Sequence, residues 1–182
     1  AMLYCYFIFE NKFVLSRLTK MSEIFLVMYI ACALDYVMSK YVHSMSRPIA
    51  FTALMCATLF RRRDAIFINT IFSLMILTLD RFSDITYMFN EQSASYASLL
   101  SSFCAGLVAV FVFNSVKTRF QSVLLAFILL IPVEVINFVI ILPVNIGAIT
   151  TAETFDLLIF GALSCMMSVM LYMFILPLFE ML

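Results

Sequence analysis

The chain has 182 residues, 65% of them hydrophobic and only 12% charged, with a mean hydropathy of +1.10. Soluble domains carry about 25% charged and about 45–50% apolar residues, so this composition excludes a water-soluble globule and describes a polytopic membrane protein. Eleven basic and eleven acidic residues cancel, which removes the long-range electrostatic case for nucleic acid or a strongly anionic substrate.

In chain order, residues 1–21 come first. The apolar run Met2–Phe9, with Tyr4, Tyr6, Phe7 and Phe9, reads as an aromatic segment lying in the membrane interface. Its first basic residue, Lys12, follows the run, the reverse of the order in a secretory signal.

The apolar windows beyond predict an all-α fold: one transmembrane helical bundle over residues 1–182 with short loops and about six spans, near 22–40, 44–60, 65–85, 96–116, 122–144 and 156–178. The core of the second, Ile49–Phe60, covers only about 18 Å at 1.5 Å per residue. It either recruits His43 and Arg47 as snorkelling flanks, with Pro48 as a first-turn or kink residue, or is re-entrant, which leaves five spans.

With six spans, three basic segments fall on one side: Lys12, Arg17 and Lys20; Arg61, Arg62 and Arg63; Lys117 and Arg119. Only Lys40, Arg47 and Arg81 fall on the other, so eight basic residues against three place both termini in the cytoplasm. The turn around Arg61–Arg63 fixes topology, and together with Lys117 and Arg119 it is a candidate contact for anionic lipid or a cytoplasmic partner.

Asp35 and Ser39 near the end of the first span, and Asp80 and Asp84 near the end of the third, reach one depth with Lys40, Arg47 and Arg81 as counter-ions. This is expected to be an outer interfacial charge cluster. Along the third span Asn69, Ser73, Asp80 and Asp84 fall within about 60° of arc at 100° per residue, a stripe that faces neighbouring helices or a polar cleft.

Small residues recur at helical spacing on the fourth span (Ser98, Ser101, Ser102, Ala105, Ala109) and on the sixth (Gly161, Ser164, Cys165, Ser168), as close-packing seams require. Between these spans stands the sharpest chemical feature. Glu134, two residues after Pro132, is the only charged residue from Ser122 to Val144, a window of roughly 34 Å whose middle lies near mid-bilayer. An ionised carboxylate there costs on the order of 2.5–3.5 kcal/mol on insertion scales. It must face protein, bind a proton, or be reached by water or a cation, with Asn137 one turn on as its nearest polar companion.

The five cysteines are scattered without a C-x-x-C pair, and the single histidine leaves no ligand set for zinc, so neither metal nor cofactor is expected. Ser164 follows Gly161 but has no base beside it in the sequence, so no enzyme is expected. The preferred reading is a non-catalytic integral membrane subunit of a bacterial inner membrane. It would be homo-oligomeric and would anchor a cytoplasmic protein partner in envelope assembly, signalling or antiviral defence. The alternative is a proton or cation channel or small transport component centred on Glu134, with Asn137 and the Asn69, Ser73, Asp80, Asp84 stripe as its path. Paired Gly or Pro interruptions that mark broken-helix transporters are not evident in the sequence, which weighs against that alternative.

Overall fold

The computed structural model describes residues 2–10, 18–43, 45–82, 91–113, 119–144 and 151–180, and among these every regular element is a helix. There are seven: α1 Met2–Glu10, α2 Leu18–Tyr41, α3 Phe51–Leu59, α4 Arg62–Phe82, α5 Glu91–Phe113, α6 Arg119–Val144 and α7 Thr151–Glu180. Four of them, α2, α5, α6 and α7, are long and apolar enough to cross a membrane. The chain is therefore a helical membrane protein.

Each long helix divides into two faces. On α6, Leu125, Leu129, Val133, Asn137 and Ile141 are buried at intervals of four, while Phe127, Ile131, Val135 and Val139 are exposed at the same interval. An exposed apolar stripe of this kind is what lipid contact requires. On α7, Phe155, Ile159, Met166, Met170 and Phe174 form its counterpart. The exposed side is thus greasy, and the polar side chains turn inward.

Helices α4, α5, α6 and α7 pack in sequence on one another, and α2 lies against α4. The short helix α3 closes the arrangement from within by touching α2, α4, α5 and α7. Its sequence, FTALMCATL, is apolar on every side, and all six residues from Phe51 to Cys56 are buried, as a helix without a polar face must be.

At nine residues α3 is about 13 Å long, far short of a span, and this corrects the continuous second helix expected near residues 44–60. Pro48 lies three residues before α3 rather than in its first turn. It supplies no backbone donor and disfavours helical geometry at Arg47. Instead residues 45–50 make turns: the Ser46 amide donates to the His43 carbonyl (3.0 Å), that of Ile49 to Arg47 (2.8 Å) and that of Phe51 to Pro48 (3.1 Å). From Met45 to Ala50 it is nevertheless fully buried.

At the other end of α3 the Phe60 amide closes on the Cys56 carbonyl and Phe60 is extended. Asp64 then sits in the first turn of α4, where a negative charge suits the helix dipole. α1 docks on this turn. Tyr6 stacks on Phe67 with centroids 3.9 Å apart and its hydroxyl donates to Asp64 (3.2 Å). Leu3 and Phe7 are buried, while Tyr4 and Phe9 remain exposed. Burial against α4 and the neighbouring Asp64 carboxylate push the Tyr6 phenol up to about 12.

Candidate functional site

Two groups of ionisable side chains lie inside the bundle. The first joins α2, the non-helical stretch and α4. Arg47, expected to snorkel outward, is instead 2% exposed and bonds Asp80 at 2.5 Å. A charged side chain is held inside only when its partner comes in with it. Asp80 also accepts from the Ser98 hydroxyl of α5 at 3.0 Å.

Asp35 is equally buried, and neither of its carboxylate oxygens has a hydrogen-bond partner among the described residues. A narrow cleft with room for about one water-sized occupant runs between Asp35, Ser39, Arg47 and Asp80 with Ile76 and Leu79 as apolar wall. It is far too small for an organic ligand, whose sites run to roughly 300–1,000 Å³. Lys40, expected among the counter-ions, is exposed and lies over the rings of Tyr36 and Tyr41. Asp84 lies outside the described residues, as does the side chain of Arg81. The cluster is thus interior at Asp35, Arg47 and Asp80, not an exposed interfacial pairing.

The non-helical stretch survives inside because α7 satisfies it. The Ser164 hydroxyl donates to the Arg47 carbonyl, and the Ala50 amide donates to the Ser168 hydroxyl at 3.3 Å, whose own proton goes to the Ser164 carbonyl at 2.8 Å. Irregular backbone at membrane depth is tolerated where protein buries it or a cavity adjoins it. The small-residue face of α7 therefore serves as a hydrogen-bonding rail as well as a packing seam. The signals for it in the sequence were Pro48 in a short apolar window and two serines four residues apart.

The second group lies between α6 and α7. Glu134 is 8% exposed and neither carboxyl oxygen has a hydrogen-bond partner among the described residues. A Cβ at Gly161 would overlap its Oε1, so the carboxyl presses on the one α7 position without a side chain. Asn137 is buried one turn along, with its Oδ1 unpartnered.

The α4 stripe is buried at Asn69, Ser73 and Asp80. Asn69 donates to the Phe103 carbonyl (3.4 Å) across the helix interface, opposite Gly106, and Ser73 donates back to the Asn69 carbonyl (3.0 Å). Among the described residues the hydrogen bonds of this stripe run to α5 and to α4 itself.

Arg61, Arg62 and Arg63 are exposed together at the turn between α3 and α4, with Arg63 3.2 Å from Glu10 of α1. Lys117 lies outside the described residues, as does the side chain of Arg119. Among the described residues no cluster of three or more His, Cys, Asp or Glu side chains is arranged to hold a metal ion. Compared with known protein families, curated proteins and solved structures, the chain matches none.

Proposed function

We propose that this protein is a membrane-embedded proton or cation component, a channel or a small transport subunit, with Glu134 as its working carboxylate. The observation that carries the reading is the state of that side chain: more than nine-tenths buried, in the middle of an apolar helix, with no hydrogen-bond partner among the described residues. A helix that served only as an anchor would gain by losing such a group, because an unpaired buried charge costs several kcal/mol (about 3–5 when a partner is removed). The buried non-helical stretch before α3 supports the same reading. It is the discontinuity that transport sites are built around, and the sequence windows did not reveal it.

Reconstituted vesicles test it. Glu134→Gln should abolish or alter proton or cation flux while leaving assembly unchanged. An identical flux, or none from the parent protein, removes the reading.

A second reading rests on the exposed Arg61–Arg63 turn. In it the chain is a non-catalytic, homo-oligomeric subunit in a bacterial inner membrane, with both termini on the cytoplasmic side, and anchors an acidic cytoplasmic partner there. A tagged chain that leaves the membrane monomeric and alone counts against this.

A further inference from the structure

We infer that the cleft between α2 and α4 is a binding site for one monovalent cation, a proton or an alkali ion, with the Asp35 carboxylate as its principal ligand. The site is separate from Glu134, with no described contact between them, and it stands if the Glu134 reading fails.

The argument begins with charge. Asp35 and Asp80 bring two carboxylates to the cleft and Arg47 brings one guanidinium, which among the described lining residues leaves one carboxylate in excess. Arg47 is committed to Asp80 at 2.5 Å, and Asp80 is further held by Ser98 at 3.0 Å. Asp35 receives no such donor among the described residues, although it is 98% buried and lines the cleft. The Ser39 hydroxyl, one turn along the same helix and lining the cleft, donates its proton to the Tyr36 carbonyl at 3.0 Å, so it offers the cleft lone pairs and no hydrogen. Cleft oxygens that look for a positive charge are what a small hard cation or a proton requires.

Position fits the charge. Arg61 and Arg62 stand at the start of α4 and Asp80 two residues from its end, so the cleft lies about 27 Å along α4 from the basic turn at 1.5 Å per residue. It therefore lies at the opposite end of the bundle. The Arg47 backbone belongs to the non-helical stretch held by Ser164 and Ser168. Occupation of Asp35 would thus act on this buried irregular segment, through the guanidinium that faces both aspartates. Among the described residues the charged and titratable groups around Asp35 are Arg47 from that stretch, Asp80 from α4, and Cys32, Tyr36 and Lys40 from α2 itself.

The experiment uses the full chain in detergent, with unfolding followed by a thiol-reactive fluorophore at the buried Cys56 and Cys165. Sodium chloride is exchanged for choline chloride at constant ionic strength, and separately the pH is moved from mildly alkaline to mildly acidic. A ligand that binds only the folded state raises the midpoint. An alkali-ion site predicts a rise of a few degrees with sodium, and a proton site the same rise on acidification without a sodium effect. Either response should persist in Glu134→Gln; in a Glu134→Gln background, where Glu134 contributes nothing, adding Asp35→Asn should abolish it. Should Asp35→Asn fail to fold, Asp35→Ser replaces it, retaining an oxygen without the charge. A parent protein insensitive to both ions overturns the inference, as does an Asp35 variant that responds as the parent does.

Discussion

The carboxyl group of Glu134 on α6 rests on Gly161 of α7 so closely that a Cβ there would overlap Oε1 and stand 3.0 Å from Cδ. The two residues are coupled, and the coupling has a sign. On helix propensity alone Gly161→Ala would gain about 1 kcal/mol, but with Glu134 in place the methyl must displace the carboxyl within a packed interface, which typically costs about 1–3 kcal/mol. We predict that Gly161→Ala is neutral to destabilising in the parent and stabilising in a Glu134→Ala background. A double-mutant cycle by denaturant titration in bicelles reads the difference directly, and additive effects would remove the coupling.

Gly106 presents a stricter case. A Cβ there would meet Cγ, Nδ2 and Oδ1 of Asn69 together, and that carboxamide is fully buried and bonded to the Phe103 carbonyl. Glu134 can turn its tip away, whereas Asn69 has a shorter side chain and no such latitude. Gly106→Ala should therefore cost more than Gly161→Ala, about 2–3 kcal/mol, with much of the loss recovered by adding Asn69→Ala. A thermal shift for Gly106→Ala no larger than that for Gly161→Ala would contradict this ordering.

The inward turn of Glu134, the small-residue faces of α5 and α7 and the placement of the long helices were legible in the sequence, because apolarity and helical spacing report directly on which side of a helix meets lipid. The interior of the second expected span was not legible. Hydropathy windows register that Ile49–Phe60 is apolar and short, which is why a re-entrant segment stood beside a full span, but not that the backbone just before Phe51 makes turns, and the groups that hold those turns, Ser164 and Ser168, lie more than a hundred residues further on. Arg47 was misplaced for the same reason. A lone arginine near a span end is ordinarily a snorkelling residue; its role as a counter-ion for Asp80 was in the sequence, but its burial, and Ser98 on the far side of Asp80, came only with the fold.

The hydrogen bonds from α7 to the turns before α3 give a prediction that separates burial from function. Ser164, Ser168 and Ser101 are all buried. Ser164 and Ser168 reach the Arg47 carbonyl and the Ala50 amide of another segment, whereas Ser101 donates to the Ser98 carbonyl of its own helix. Interhelical hydrogen bonds in membranes average about 0.6 kcal/mol and reach about 1.7. Ser168→Ala should fall near the upper end, because it removes the described partner of the buried Ala50 amide, Ser164→Ala should cost less, because the Arg47 carbonyl keeps the Ile49 amide, and Ser101→Ala should be nearly silent. Equal stabilities for the three variants in a thermal melt would show that α7 does not hold the stretch in place.

Arg47 and Asp80 provide the largest expected effect. Their side chains are 3% and 0% exposed and the guanidinium meets the carboxylate at 2.5 Å, so neither can return to water when the other is removed. Breaking a buried pair from one side costs about 3–5 kcal/mol, whereas replacing both partners with apolar groups of similar volume is often neutral. Arg47→Met should therefore be severely destabilising, since it leaves Asp80 with Ser98 as its one described partner while Asp35 remains uncompensated nearby. Asp80→Leu should be comparably severe, with one difference: the freed guanidinium faces Asp35 across the same cleft and can move to it, which returns part of the loss. The double variant should be more stable than either single one. Unfolding free energies of the three proteins decide the matter. If the double variant shows the sum of the two single losses, the pair does not act as a unit; if Asp80→Leu costs as much as Arg47→Met, Asp35 does not take up the released charge.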